Sequence, residues 1–192
     1  MKIINSNQSI EWRRKLSGRT ELRTVIEFDN LLKEQAFKGL QKINRDLNQK
    51  NLKKLKVTKN EITNASKLVT DDEKFALYEA IKNISFVSKS QLKDINKSIE
   101  PLSGLTIWDK FVPIGSVGLY VPGGTAPLVS SFLMQVIPAI IAGCKDIIVC
   151  TPPDKNGRVY PAILWLADQL GVLNIYKIGG AQAILSMANG YL

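Results

Sequence analysis

Two double glycines, Gly123-Gly124 and Gly179-Gly180, each follow a strand-like apolar run and each has a polar side chain close by. Tyr120 precedes the first, with Pro122 between them, and Gln182 follows the second. A glycine pair between strand and helix lets a ligand approach the backbone, where unpaired amides attract negative charge. Tyrosine offers an aromatic face and a hydroxyl, and glutamine offers both donor and acceptor. Tyr120, Pro122 and Gln182 are therefore candidates for a cofactor or small-molecule site. A plainer reading stands beside this one: a tyrosine closing a strand, and a glutamine capping its own helix. The usual dinucleotide fingerprint, G-x-G-x-x-G, is absent. The chain has no histidine, the side chain best suited to proton transfer near neutral pH and to zinc. Cys144 and Cys150 make neither a Cys-x-x-Cys pair nor a disulfide framework, and read as buried free thiols. No catalytic and no metal-ligating residue is assigned.

The elements that must carry these turns lie in the second half. Val117–Val121 reads as a strand, and residues 127–142 as a helix opened by Thr125 and Pro127, kinked or ended near Pro138 and stopped by Gly143. Asp146–Cys150 (DIIVC) is a continuous apolar strand, and TPPDKNGR a loop. A helix over 159–170 stops at Gly171, a third strand covers 173–178, and a last helix opens at Ala181. Strands alternating with helices predict right-handed crossovers and a parallel sheet, with helices 127–142 and 159–170 covering it. Turns after parallel strands share one edge, where ligands bind, so Tyr120, Pro122 and Gln182 are expected to cluster there.

The first half has a different character. Thr58-Lys-Asn-Glu61 and Thr70-Asp-Asp-Glu73 are capping boxes that open helices. After the second, Leu77, Ile81, Ile84, Ser88, Leu92, Ile95 and Ile99 fall on one face of a long amphipathic helix, with a possible break near Ser88–Ser90 where Ser88 interrupts the stripe, ended by Pro101–Gly104. Of 26 basic and 17 acidic residues, only four and three lie in 111–192, so nearly all of the +9 net charge sits in 1–110. The densest basic run, Lys50–Lys59 (KNLKKLKVTK), has no aromatic residue and no arginine. It reads as a solvated lysine surface rather than a nucleic-acid site. The most apolar segment, Pro127–Ala142, is too short to span a bilayer, and the first ten residues lack the apolar core of a signal peptide, so a cytoplasmic location is expected. The expected fold is α/β: a mainly helical N-terminal region (1–110) followed by an incomplete Rossmann-like parallel-sheet domain (111–192).

The literal strings say more than the pattern. GSVGLYVPGGTAPL (Gly115–Leu128), AGCKDIIVCTPP (Ala142–Pro153) and IGGAQAI (Ile178–Ile184) closely resemble the histidinol dehydrogenase family. The likeness is strong over 113–188, recognisable over 57–91 and weak before Val57. It implies an NAD-dependent, zinc-requiring enzyme that oxidises L-histidinol to L-histidine through the aldehyde, the last step of histidine biosynthesis. It further implies that Tyr120 and Gln182, with Pro122 beside them, contact NAD. The family's zinc ligands, its Glu-His proton-handling pair and a GPGN loop that also holds NAD are expected beyond Leu192. On that reading the chain is the N-terminal part of the enzyme and is inactive alone. The implied partners are the small-molecule substrate and a second protomer of an intertwined homodimer, with neither nucleic acid nor membrane. Val87 stands where the family usually has a histidine, and the matching around 36–48 is loose. A non-catalytic remnant, or an interaction module that keeps the α/β domain, is the alternative.

Overall fold

In the computed structural model, residues 19–47, 54–92, 98–123 and 127–192 are described. They form two compact units, Leu52–Gly179 and Met1–Asn51 together with Gly180–Leu192. The composition change near residue 110 marks a change in charge; the units mark a change in packing.

The larger unit is built on three adjacent parallel strands, β3 (Ser116–Tyr120), β4 (Asp146–Thr151) and β5 (Asn174–Lys177), in the order β3-β4-β5. Their register runs from Ser116 opposite Asp146 to Tyr120 opposite Cys150, and from Ile148 opposite Asn174 to Thr151 opposite Lys177. The apolar runs thus form the parallel sheet their continuity predicts. A further extended segment lies antiparallel along the outer edge of β5: Val57 N–H donates to Ile175 O (2.8 Å) and Lys177 N–H to Leu55 O (2.8 Å). Within the lysine run, residues 55–57 therefore pair along this edge through a single antiparallel bridge, Lys56 opposite Tyr176. Leu55 and Val57 are buried while Lys54 and Lys56 face solvent, and lysines on an edge discourage unwanted pairing. Lys56 Nζ donates to Asn174 Oδ1 (2.8 Å) and lies 5.7 Å from the centroid of the Tyr176 ring. Residues 50–53 of the run lie outside the described residues.

Helices α2 (Lys59–Ala65), α3 (Asp71–Gln91), α4 (Val129–Ala142) and α5 (Pro161–Gln169) complete this unit's main elements. Both capping boxes form: the Thr58 and Thr70 hydroxyls accept from the amides of Glu61 and Glu73, whose carboxylates reach back to the cap amides. α4 runs through Pro138 rather than ending there, and closes at Gly143 in the left-handed conformation (φ 89°). Thr125, the expected helix opener, lies outside the described residues. The core joins Phe132, Leu133, Val136 and Ile137 of α4 to Val149, Ile175 and the α5 residues 162–167.

The long helix stops just past the break expected near Ser88–Ser90 instead of running on to Pro101. α3 ends at Gln91, and of its stripe Leu77, Ile81 and Ile84 pack against the core while Ser88 is buried. Ile99 instead belongs to a hairpin, β1 (Ser98–Leu102) and β2 (Leu105–Trp108), and Ile95 lies outside the described residues. The coincidence of Ile99 with a helical period misled, because a single apolar residue fits either repeat; the Leu-Ser-Gly turn between β-rich flanks was the better signal.

In the smaller unit α1 (Arg19–Asp46) packs with α6 (Ala181–Asn189). α1 is two helical stretches joined at Ala36, which leaves helical geometry (φ 44°, ψ −120°). Leu32, Leu40 and Ile43 are buried from α1 and Ala183 from α6.

Candidate functional site

Tyr120 closes β3, and the ladder continues one residue further, where Val121 N–H donates to Cys150 O (2.9 Å). Gln135 of α4 donates from Nε2 to Tyr120 O (3.1 Å), fixing the point where the chain leaves the sheet. Val121 is buried, Pro122 is exposed and Gly123 half-buried. A Cβ on Gly123 would lie 3.1 Å from the Pro152 ring, so its bareness lets the turns after β3 and β4 press together. Gly124 lies outside the described residues.

Beside these turns, at the carboxyl edge of β3 and β4, opens a cavity of about 480 Å³. Gly123, Thr151 and Pro152 line it from the sheet, Glu61 and Asn64 from α2, and Asp154, Arg158 and Tyr160 from the loop after β4. The size is that of a small-molecule site, and the carboxyl edge is where open α/β sheets bind ligands. The loop is preformed. Asp154 Oδ1 accepts from the amides of Asn156 and Arg158 (both 2.8 Å), and Asp154 N–H donates to Arg158 O (2.8 Å).

Glu61 ties the cavity to the sheet. Its carboxylate accepts from Lys177 Nζ, a buried ammonium at the end of β5, and from the amide (2.9 Å) and hydroxyl (2.9 Å) of Thr58. Burial by itself would raise this carboxyl, but the bonds from Lys177 and Thr58 outweigh it and hold the group below its usual range. Cys150 behaves oppositely. Burial pushes its thiol up to about 12, so it is an inert core residue.

Gln182 belongs to the smaller unit, near the start of α6. Its side chain is fully buried, and Nε2 donates to Asn44 Oδ1 of α1 (3.1 Å). It does not cap its own helix, since α6 has no side-chain cap. Gln182 Oε1, Asn44 Nδ2 and Ser186 Oγ are buried without a hydrogen-bond partner. Gly180 adopts φ 75°, and a Cβ there would lie 2.7 Å from Gln182 Oε1. The second glycine of this pair is therefore fixed both by its backbone and by the glutamine folded over it.

The structure thus brings Tyr120 and Pro122 together beside the first turn, and sets Gln182 in the other unit against Asn44. Sequence reading missed Asn44 and saw Glu61 only as a capping residue. Their partners stand 138 and 116 positions away, beyond the reach of any local pattern. Among the described residues no group of three or more His, Cys, Asp or Glu side chains gathers to hold a metal. No helix among them is long and apolar enough to cross a membrane.

Comparison with known proteins decides the lineage. The profile of the family described as "Histidinol dehydrogenase" matches residues 13–192. The chain belongs to the histidinol dehydrogenase family. A histidinol dehydrogenase from Bacteroides thetaiotaomicron is 42% identical over 196 residues, covering 99% of this chain and 45% of that one. One from Bacteroides fragilis is 52% identical over 139 residues, 72% of this chain and 32% of the other. The crystal structure of histidinol dehydrogenase from Elizabethkingia anophelis superposes with a TM-score of 0.84 at 40% identity, over 88% of this chain and 39% of that chain. The chain matches the N-terminal part of the family's full-length members and spans less than half the length of these relatives.

Proposed function

We propose that this chain is the NAD-binding N-terminal part of a cytoplasmic histidinol dehydrogenase, an oxidoreductase that converts L-histidinol to L-histidine through the aldehyde. Tyr120, Pro122 and Gln182 are its NAD-contacting residues, and the enzyme works as a homodimer. NAD, when bound, takes the hydride, and zinc, when bound, holds the substrate. The observation that carries the reading is the turn after β3. Tyr120 ends the strand, Pro122 stands exposed beside it and Gly123 opens onto a cavity of about 480 Å³ at the carboxyl edge of a parallel sheet. That edge suits a nucleotide cofactor. Tyr120 offers a ring face and a hydroxyl, and Pro122 an apolar wall. Gln182 suits the role as a buried amide whose Oε1 still lacks a partner.

With no histidine among these 192 residues, the zinc ligands and the Glu-His pair that the family uses lie outside them. The protein therefore contributes a cofactor-binding surface rather than proton chemistry. Equilibrium titration with NAD tests this. Weak binding is expected because part of the site is missing and unorganised pockets lose affinity, and Tyr120→Ala should weaken it severalfold further. Indifference of NAD binding to Tyr120→Ala, with the fold intact by circular dichroism, would remove the assignment.

A further inference from the structure

We infer that Asn44 is a positioning residue for the cofactor: it holds the Gln182 carboxamide so that Oε1, an acceptor, is the end offered to NAD. The inference rests on the proposed role of Gln182 as an NAD contact and deepens it. A glutamine side chain turns about three bonds, and a half-turn about the last exchanges the donor and acceptor ends of its amide. Gln182 has no such freedom here. Its Nε2 donates to Asn44 Oδ1 (3.1 Å), and both residues are buried, Gln182 fully and Asn44 to 4% exposure, so solvent cannot compete for the bond. The packing of α1 with α6 fixes the spacing, with Leu40 and Ile43 buried alongside Asn44 and Ala183 alongside Gln182. With Nε2 committed to Asn44, the end that remains is Oε1.

That oxygen lies just beneath the surface. It fills the space of the side chain that Gly180 lacks, 2.7 Å from where a Cβ would stand, and Gly180 itself is exposed. A group resting on the bare glycine therefore comes within reach of Oε1. The cluster is also incomplete as a core device. Asn44 Nδ2, Gln182 Oε1 and Ser186 Oγ, one turn further along α6, are buried without a hydrogen-bond partner among the described residues. A half-satisfied polar network stabilises less than an apolar core of the same shape. Packing alone therefore does not account for the pair, whereas a ligand that donates to Oε1 does. The matching chemistry is an N–H or O–H donor, and NAD carries both, in its nicotinamide carboxamide and its ribose hydroxyls.

Titration of the isotope-labelled 192-residue chain with NAD, followed by its amide NMR spectrum, tests this. Gln182→Ala and Asn44→Ala should each raise the Kd about three- to tenfold, the worth of one hydrogen bond. The double variant should bind no more weakly than either alone, because both changes break the same contact. Asn44→Asp keeps an oxygen to accept from Nε2 and should bind like the unsubstituted chain. The Gln182 side-chain amide protons should form a resolved, slowly exchanging pair that Asn44→Ala abolishes. Repeating the titration with ADP-ribose, which lacks the nicotinamide, locates the donor. A Gln182 effect that vanishes puts it on the carboxamide, one that persists puts it on a ribose hydroxyl, and both support the acceptor role. Unchanged NAD binding in Gln182→Ala, or no saturable binding by the unsubstituted chain at millimolar NAD, overturns the Gln182 contact and the inference together. A response to Gln182→Ala with none to Asn44→Ala, or with additive effects, overturns the positioning role and leaves the contact standing. An Asn44→Asp chain that folds yet binds as weakly as Asn44→Ala overturns the assignment of Oε1 as the offered end.

Discussion

Gly180 and Gln182 illustrate how a motif can be a packing device and a binding candidate at once. Gly180 holds φ 75° and ψ −171°, a region essentially closed to other residues, and the Gln182 carboxamide oxygen occupies the space of its missing side chain. Gly180→Ala should therefore cost about 2 kcal/mol or more in urea unfolding. Adding Gln182→Ala removes the collision but not the backbone strain, so the double variant should recover only part of the loss. Full additivity of the two changes would contradict the contact. Glu61 gives a pH signature of known sign. Its carboxyl titrates lower in the folded than in the unfolded chain, so the stability it confers is present above the ordinary carboxylate value and is lost as pH falls through the lowered one. Stability should decline from about pH 5 downward, and Glu61→Gln should flatten that decline. An identical pH profile in the variant would mean that other carboxylates govern it.

Among the elements, legibility followed the distance over which the deciding interaction acts. The three parallel strands could be read because each is a short β-prone segment with glycine or proline close by, and β4, the central one, is the apolar run buried on both faces. The two capping boxes could be read because both partners lie three residues apart. Thr70→Ala should accordingly cost about 1 kcal/mol, measured as a lowered denaturation midpoint, with the fold of α3 preserved. The edge segment at 55–57 was hidden by its lysines. Only its pairing with β5, more than a hundred residues away, makes Leu55 and Val57 core residues. The hairpin was hidden by Ile99, which fits a helical repeat begun at Leu77. The position of Tyr120 and Pro122, at the end of β3 beside the first turn, was legible from the strand–glycine junction. The Gln182–Asn44 pair and the Glu61–Lys177 pair were not, since each joins segments far apart in sequence.

Taken whole, the molecule belongs to a family of oxidoreductases yet spans less than half the length of its relatives, carries no histidine, and has no metal cluster among its described residues. Proton transfer from a carbon-bound alcohol near neutral pH calls for a base of matched strength, usually an imidazole. The strongest carboxylate candidate near the cavity, Glu61, is already engaged by Lys177 and Thr58 and held in its charged form. Purified alone, the chain should therefore produce no NADH from histidinol, with or without added zinc. Mixing it with a separately expressed C-terminal polypeptide of a relative, one carrying a GPGN loop and the Glu-His pair, separates two kinds of protein. NADH formation that appears only in the mixture identifies this chain as a working half of the enzyme, and Tyr120→Ala should then raise the apparent KM for NAD. Inactivity in a mixture shown to associate identifies it instead as a non-catalytic module that keeps the α/β fold. NADH made by the chain alone would contradict the inference from its composition, because it would require a base and a hydride acceptor site already complete within these 192 residues.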